Sequence, residues 1–257
     1  MRGKTVKKWI IIILVFVTVI VFFLSPVFGI KKYSISECNR YSEDELKSEL
    51  QLYDGKNGFM AVLSNIKGVG NFDKLFSLRL PEVEKKIEFD KPYLKDITVK
   101  YVFPSTLQLN AGERQPCFIV NYLDIFLCID SEGYVVETFT NKEDAPKLPL
   151  IKGLQIVNSM IGKPLELSDQ KQLDSTILLC NDMSRISILT DIDIIDISDY
   201  NNIWMFVLPS LSIMFGGADN AAYKLATLKA IEETWYDGTP NGTLDFTGSG
   251  NPIFREN

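Results

Sequence analysis

Histidine is absent from this chain of 257 residues. The Ser-His-Asp and Cys-His systems of hydrolases need an imidazole to accept the proton of the nucleophile, so the sequence excludes both. Mixed Cys and His zinc sites are excluded as well, and the four cysteines contain no C-x-x-C pair. A Ser-Lys dyad stays open by composition alone, although no S-x-x-K stands on a recognisable nucleophile helix.

Phosphate loops and calcium loops are also lacking. Neither GxxxxGK[ST] nor GxGxxG occurs, and Gly68-Val69-Gly70 is too short to cradle a phosphate. The densest acidic stretch, residues 190–199, offers Asp191, Asp193 and Asp196 as calcium ligands, but it lacks the central glycine and terminal glutamate of a calcium loop. A strand with a solvated acidic face explains its alternation better. The sequence therefore predicts no catalytic residue, no metal site, no cofactor and no small-molecule substrate.

Basic charge is scarce beyond the N-terminus. The chain carries 27 basic and 33 acidic residues, and four of the basic ones, Arg2, Lys4, Lys7 and Lys8, precede the first apolar run. The remainder holds 23 basic against 33 acidic residues, a net charge near −10. Because neutralisation of phosphate dominates affinity for nucleic acid, this excess of acid argues against a nucleic-acid partner and against binding to anionic lipid.

One long apolar run stands out. Residues 9–30 are long enough for a helix that crosses the hydrocarbon core, which takes about 20 apolar residues. A cleaved secretory signal is the alternative, but its apolar region is typically about 7–15 residues long, and no A-x-A-like site follows here. Positive charge precedes the run, so we expect residues 1–8 to form a cytoplasmic tail, residues 9–30 a single transmembrane helix, and everything after Ile30 to lie outside.

Residues 31–115 alternate between strand and helix patterns. An extended segment opens the region, and Ser42 with Glu45 forms a capping box that predicts the start of a helix. Two further helical stripes consist of Phe59, Val62, Leu63 and Ile66, and of Phe72, Leu75, Phe76 and Leu80, ended by Pro81. The period then changes to two at residues 97–103 and 107–111, with a turn at Pro104-Ser105. The predicted order is strand, helix, helix, strand, strand.

Strand patterns dominate residues 116–257. The predicted strands are 117–120, 125–130, 133–138, 192–197, 203–208, 211–215 and 243–247. One helix follows Ser168, with Leu173, Ile177 and Cys180 on one face, and a second follows Asp219-Asn220. The fold class is therefore α+β, with a single N-terminal transmembrane helix, a small mixed domain and a larger β-rich domain with two helices.

Two cysteines lie opposite each other if residues 117–128 form a hairpin around residues 121–124. A cross-strand disulfide between Cys117 and Cys128 is then geometrically conceivable. Two free thiols packed as small apolar side chains are the other reading, and the sequence leaves both open.

The charged pair Glu113-Arg114 raises the question of chemistry. A glycosidase needs two carboxylates that flank the scissile bond, whereas here one carboxylate stands beside a permanent cation. Arginine cannot act as a base. The pair fits a charged turn between two strands better than an active site.

The stretch F-P-S-T-L-Q-L-N-A-G-E-R-Q-P, residues 103–116, is similar to a pattern near P-x-T-L-x-I-x-V-x-E-R-x-P. That pattern closes the POTRA domain in the FtsQ/DivIB family of bacterial cell-division proteins, which the chain resembles. The matching positions are Pro104, Thr106, Leu107, Leu109, Glu113, Arg114 and Pro116. Downstream, residues 127–135 resemble the family's D-x-x-G-x-V turn, residues 148–153 its L-P-x-L-x-G, and residues 215–245 its closing region. Residues 64–95 depart, being longer than the family's usual second-helix region.

The resemblance implies a non-enzymatic, single-pass division protein, with a POTRA domain at 31–115 and a β domain at 116–257. It would be enriched at the septum, assemble with FtsL-like and FtsB/DivIC-like proteins and influence septal peptidoglycan synthesis. In the family, the C-terminal strand region pairs with the FtsB/DivIC partner by strand addition. This implies partner-binding residues at Thr243, Leu244, Asp245, Phe246, Thr247, Ile253 and Phe254. Leu244 and Phe246 are expected on one face of an edge strand; a final strand that merely completes the sheet is the alternative.

Two other functions remain open. A membrane-tethered exported cell-wall hydrolase would show convergent polar residues in a cleft. A POTRA-bearing translocation accessory protein would lack the second domain.

Overall fold

The computed structural model describes residues 2–66, 75–207, 209–235, 238, 240–248 and 250–256. The predictions that fall on the gaps, among them Gly68-Val69-Gly70 and Phe72, lie outside the described residues. The chain forms two compact units, Met1–Glu113 and Arg114–Asn257. The architecture is mixed α+β, with one N-terminal apolar helix followed by a β-rich body with a few helices, as the sequence predicts.

The first helix, α1 (Arg2–Phe23), is the only one in the described part of the chain that is long and apolar enough to cross a membrane. The apolar span runs over Lys7–Phe28 with a mean hydropathy of 3.1, and every side chain from Lys7 to Leu24 is exposed. A run of side chains that no protein surface covers is typical of a helix that lipid surrounds.

The first unit contains a three-stranded sheet of order β1-β3-β2. Its strands are β1 (Lys32–Ile35), β2 (Leu94–Val102) and β3 (Thr106–Glu113). β3 runs antiparallel to β2 and parallel to β1, with Lys32 opposite Thr106. The strand order along the chain is therefore the predicted one.

Three further helices in the described part of the first unit contact this sheet. They are α2 (Glu43–Leu50), α3 (Gly58–Asn65) and α4 (Pro81–Asp90). The Ser42 hydroxyl accepts a hydrogen bond from the amide of Glu45 at 3.2 Å, so α2 begins where the capping box predicts. Leu46 and Leu50 of α2 are buried in the core of the first unit.

The stripes predicted for α3 and the following segment are partly wrong. Val62 is buried, but Leu63 is exposed, because the small residues Gly58 and Ala61 complete the buried face of α3. Pro81 begins α4 instead of ending a helix, which is consistent with the preference of proline for the first helical position.

The second unit is built on a nine-stranded sheet of order β14-β13-β12-β11-β10-β7-β4-β5-β6. Its strands are β4 (Pro116–Tyr122), β5 (Ile125–Asp130), β6 (Val135–Phe139), β7 (Leu150–Lys152), β10 (Ile194–Asp196), β11 (Ile203–Val207), β12 (Leu211–Gly216), β13 (Gly242–Asp245) and β14 (Ile253–Glu256). A separate pair is formed by β8 (Ile156–Asn158) and β9 (Glu166–Leu167). The sheet carries the pattern predicted at 117–138 and 192–215, while β7, β8, β9 and β14 were not predicted.

Two helices, α5 (Gln170–Arg185) and α6 (Ala221–Glu232), contact each other in the second unit. Asp169, not Ser168, precedes α5 as its capping residue, and its carboxylate accepts from the amide of Lys171 at 3.0 Å. Leu173 and Cys180 are buried as predicted, together with Leu225 of α6. The core of the second unit therefore joins both helices to the sheet.

The structure has the second of the two readings of the cysteines, free thiols packed as small apolar side chains, and not the disulfide. Cys128 lies opposite Ile119, because the two strands stay paired as far as Tyr122 and Ile125 and the turn is only the two residues Leu123 and Asp124. All four cysteines are free. Cys117 instead hydrogen-bonds with Cys180 of α5, and this contact together with burial raises the pKa of the Cys180 thiol.

Candidate functional site

Glu113 is the last residue of β3, and its carboxylate holds the segment between β1 and α2. Oε1 accepts a hydrogen bond from the amide of Arg40 at 2.9 Å. Oε2 accepts from the backbone amide and from the side-chain Nδ2 of Asn39, both at 3.2 Å. Glu113 therefore closes the first unit by accepting from a loop that precedes a helix.

Arg114 begins the second unit, and its side chain is buried. Its Nη1 lies 2.8 Å from Oδ2 of Asp130, whose side chain is 1% exposed. The guanidinium lies over the ring of Tyr134, 3.8 Å from its centroid, and Nη1 also donates to Glu132 at 3.2 Å. Arg114 is thus paired within its own unit and not with Glu113.

Asp130 joins two of the motifs that carry the resemblance. While Oδ2 binds Arg114 of the E-R-x-P motif, Oδ1 accepts from the amides of Glu132 and Tyr134 at 2.9 and 2.7 Å. These amides belong to the D-x-x-G turn between β5 and β6, in which Gly133 has a φ of +86°. The two motifs therefore meet in one buried ion pair, and the arrangement is structural.

The remaining motif residues also lie at element ends. Pro104 occupies the turn between β2 and β3, where the Phe103–Pro104 peptide bond is cis. Thr106 begins β3, Leu107 is fully buried behind it, and Pro116 begins β4 opposite Asp130.

The predicted partner-binding strand is not at the edge of the sheet. β13, which holds Thr243, Leu244 and Asp245, pairs in parallel with β12 on one side and antiparallel with β14 on the other. Both of its backbone edges are thus occupied, so strand addition directly onto β13 is excluded while β14 is in place. The edge lies one strand further along the chain, at Ile253–Glu256.

The alternation predicted for this region holds. Leu244 and Phe246 are buried, and the ring of Phe246 lies 6.2 Å from that of Phe215 in the core of the second unit. Thr243 and Asp245 are half-buried and Thr247 is exposed, on the opposite face. Since Phe246 belongs to the core, a charge at this position would destabilise the unit and could not test an interface alone.

All four residues of β14 are exposed. Ile253 is 55% exposed and Phe254 is 45% exposed, so two large apolar side chains stand on the outermost strand. β14 is held by its ladder to β13, in which Leu244 lies opposite Phe254 and Asp245 opposite Ile253.

Asp245 fixes the corner at which the chain leaves β13. Its Oδ1 accepts from the hydroxyl of Thr247 at 2.6 Å and from the amide of Thr247 at 2.9 Å. Oδ2 accepts from Nη2 of Arg255 at 3.1 Å. The hydrogen bonds from Thr247, with a smaller contribution from the Arg255 charge, hold the pKa of Asp245 below its ordinary value.

Gly242 allows β14 to approach β13 closely. A Cβ at this position would lie 2.3 Å from the carbonyl oxygen of Arg255 and 2.7 Å from the ring of Phe254. The same ring borders an apolar depression that is lined by Leu211, Ile231, Trp235, Pro240, Leu244 and Phe254. The contribution of Gly242 was not foreseen, because a lone glycine at a strand start looks like part of the preceding turn.

Two acidic side chains of residues 190–199 pair with other side chains of the second unit. Asp191 pairs with Lys229 at 3.4 Å, and Asp196 accepts from the hydroxyl of Ser198 at 2.6 Å, which lowers the pKa of Asp196. Among the described residues no group of three or more His, Cys, Asp or Glu side chains is placed to hold a metal ion.

Two curated proteins are similar to this chain over most of its length, and each is called cell division protein DivIB. The one from Clostridium acetobutylicum is 22% identical over 240 residues, which is 89% of this chain and 83% of that protein. The one from Clostridium tetani is 24% identical over 194 residues, which is 72% of this chain and 69% of that protein. No protein-family profile matches the chain.

Proposed function

We propose that this chain, which its two DivIB relatives support as a member of the FtsQ/DivIB family, is a membrane-anchored assembly protein of the bacterial division machinery. The similarity supports a role in cell division, and the apolar span Lys7–Phe28 fits a single-pass anchor. In this proposal the N-terminus is cytoplasmic, both units lie outside, and the protein is enriched at the septum. Residues 31–115 act as the POTRA domain and residues 116–257 as the β domain.

Its function is to bind other division proteins and not to catalyse a reaction. FtsB/DivIC-like and FtsL-like proteins are the proposed partners, through which the chain influences septal peptidoglycan synthesis. The site is the outer edge of β14, together with Ile253 and Phe254 as the side chains that select the partner strand. Strand addition suits this edge, because an outermost strand offers backbone N–H and C=O groups to a second chain.

The observation that carries the proposal is the exposure of all four residues of β14 on the last strand of a nine-stranded sheet. Large apolar side chains on an exposed edge are costly in a protein that acts alone, because they invite pairing with other chains. A partner strand would cover both the edge and these side chains.

The test replaces Ile253 or Phe254 with aspartate in the full chain. Since both side chains are exposed, we expect the fold to persist and co-purification of the FtsB/DivIC-like protein from solubilised membranes to fall strongly. Tyr223→Asp is the matched control, because Tyr223 is 62% exposed on α6 of the same unit. Equal recovery of the partner with Ile253→Asp, Phe254→Asp and the parent chain would contradict the proposed edge.

A fluorescent fusion separates the site from the function. If the parent chain is fluorescent at the septum and the Ile253→Asp or Phe254→Asp variant loses the partner, both the proposed site and the proposed function are supported. If the parent itself shows uniform membrane fluorescence in dividing cells, the proposed role at the septum is wrong.

A further inference from the structure

The C-terminal end of α1 is tied to the first unit by one side chain. Nδ2 of Asn57 donates to the carbonyl oxygen of Phe23 at 2.9 Å and to that of Ser25 at 3.5 Å. The last carbonyls of a helix have no partner within it, so these bonds satisfy groups that would otherwise need water. Oδ1 of Asn57 accepts from the amides of Phe59 and Met60 at 3.1 and 3.2 Å and caps the start of α3. One asparagine therefore joins the ends of two helices.

Backbone pairing strengthens this junction. The amide of Ile30 donates to the carbonyl of Lys56 at 2.9 Å, and the amide of Gly55 donates to the carbonyl of Ile30 at 2.9 Å. Gly29 and Asn57 form a further β-bridge. The chain between α1 and β1 is thus hydrogen-bonded to the loop before α3, and it is not a free linker.

Aromatic rings continue from α1 into the first unit. The ring of Phe59 lies 4.8 Å from that of Phe23, 5.3 Å from that of Phe28 and 5.1 Å from that of Phe103, measured between centroids. Phe28 is buried by these contacts, whereas Phe103 is 53% exposed. The cluster therefore links the apolar span to the surface of the folded unit.

The exposed apolar side chains around this junction are Val27, Met60, Leu63 and Phe103, which we call the anchor-proximal patch. Met60 and Leu63 are three residues apart and project from one side of α3. Exposed lysines, Lys31 and Lys56, stand beside the junction. Long basic side chains next to aromatic rings are typical of protein surfaces at the border between lipid and water.

We propose that the anchor-proximal patch lies in the interfacial layer of the lipid bilayer, on the side of the folded units, and that Asn57 holds it at that depth. The argument rests on the proposed membrane anchorage of α1. Lipid is the environment that we propose for the patch, because the patch is continuous with the apolar span. Phe23 is the last residue of α1, the ring of Phe59 contacts the ring of Phe23, and Met60 follows Phe59 in the same turn of α3. An apolar surface that begins where a spanning helix ends faces lipid headgroups and the upper acyl chains before it faces water.

Nitroxide labels measure this depth. Met60→Cys, Leu63→Cys and Phe103→Cys are each labelled in the full chain carrying Cys38→Ser, since Cys38 is the half-buried thiol and the other three native thiols are buried. The chain is reconstituted in phosphatidylcholine vesicles, and collisions with oxygen, which concentrates in lipid, are compared with collisions with a nickel chelate, which stays in water. We expect oxygen to dominate at all three labels.

Phe89→Cys is the matched control. Phe89 is 75% exposed in the last turn of α4, and Lys91 just after it pairs with Glu45 at the start of α2. Gly55 and Lys56, which hydrogen-bond to Ile30 at the junction, follow the C-terminal end of α2, whereas Glu45 lies in its first turn. We therefore expect Phe89 to lie away from the membrane and its label to be dominated by nickel collisions. Patch labels as accessible to nickel as the Phe89 label would overturn the inference.

A label at Val17 in α1 separates this inference from the proposed function. If Val17→Cys is reached by oxygen and the patch labels are reached by nickel, the anchor stands and the interfacial patch is wrong. If nickel also reaches Val17→Cys, the membrane anchorage itself is wrong.

Asn57→Ser tests the role given to Asn57. Serine retains a hydroxyl that caps α3 but is too short to reach the carbonyl of Phe23. We expect the patch labels to lose oxygen collisions relative to nickel collisions, while Val17→Cys is unchanged. Unaltered patch labels would show that Asn57 does not set the depth.

Discussion

Replacing Arg114 with alanine should destabilise the second unit far more than the loss of a surface ion pair. Its partner Asp130 is 1% exposed and lies 2.8 Å away, so the truncation leaves a carboxylate in the core without its cation. Breaking a buried pair by removing one partner costs about 3–5 kcal/mol. The contact with the ring of Tyr134 at 3.8 Å adds to the loss in the same direction. We therefore expect the free energy of unfolding to fall by about 3–5 kcal/mol.

Urea unfolding of the full chain in detergent measures this change through tryptophan fluorescence. Trp204 and Trp235 lie in the second unit, whereas Trp9 lies in α1. Arg185→Ala is the control, because its pair with Asp182 at 3.0 Å has an arginine side chain that is 78% exposed. An exposed pair contributes about 0–1 kcal/mol.

A cycle with Asp130→Asn isolates the pair itself. The asparagine oxygen can still accept from the amides of Glu132 and Tyr134, so the turn persists while the negative charge is lost. Residues in one buried network show coupling energies of about 0.5–3 kcal/mol. A cost for Arg114→Ala no greater than that for Arg185→Ala, or additive effects of the two substitutions at 114 and 130, would refute the argument.

Two further predictions concern close packing and acid. Gly58→Ala places a Cβ 2.2 Å from the ring of buried Tyr101, so we expect a loss of about 1–3 kcal/mol, read as faster hydrogen exchange in β2 and β3. Gly248→Ala meets no atom within 4 Å and should leave exchange unchanged; equal effects of both variants would contradict the packing argument. The lowered pKa of Asp245, caused mainly by the hydroxyl of Thr247, means that its stabilisation is present above the unfolded pKa of about 3.9 and is lost as the pH falls through the folded-state pKa. Hydrogen exchange of the β14 amides should accelerate over this acid range in the parent chain and not in Asp245→Asn.

Much of the fold follows from periodicity, because long elements with one buried face impose a repeat on the sequence. The alternation at 97–111 predicts β2 and β3, and the capping box at Ser42 predicts α2. Periodicity does not predict short elements. β7 has three residues and β9 has two, too few to show a repeat. The pattern does not predict α4, because Pro81 follows an apolar stripe and proline fits the end of one helix as well as the start of the next.

The candidate site shows the same limit. The residues of β13 alternate because one face is buried, so Leu244 and Phe246 could be assigned to the core side from the sequence. β14 contains Ile253, Phe254, Arg255 and Glu256, all exposed, and a strand without a buried face leaves no alternation to read. Its position depends on the backbone ladder to β13 and on the space that Gly242 provides, neither of which is visible in side-chain hydrophobicity.

The peptide bond between Glu113 and Arg114 has a consequence for recombination between relatives. Each of these consecutive residues takes its partners from its own unit, Asn39 and Arg40 for the first and Asp130 for the second. A chimaera joined at this bond inherits both sets of partners intact. With a junction a few residues earlier, Glu113 would come from one parent and its partners Asn39 and Arg40 from the other. With a junction a few residues later, Arg114 would be separated from Asp130 in the same way. The pair thus marks a junction at which each of the two residues stays with the partners of its own parent.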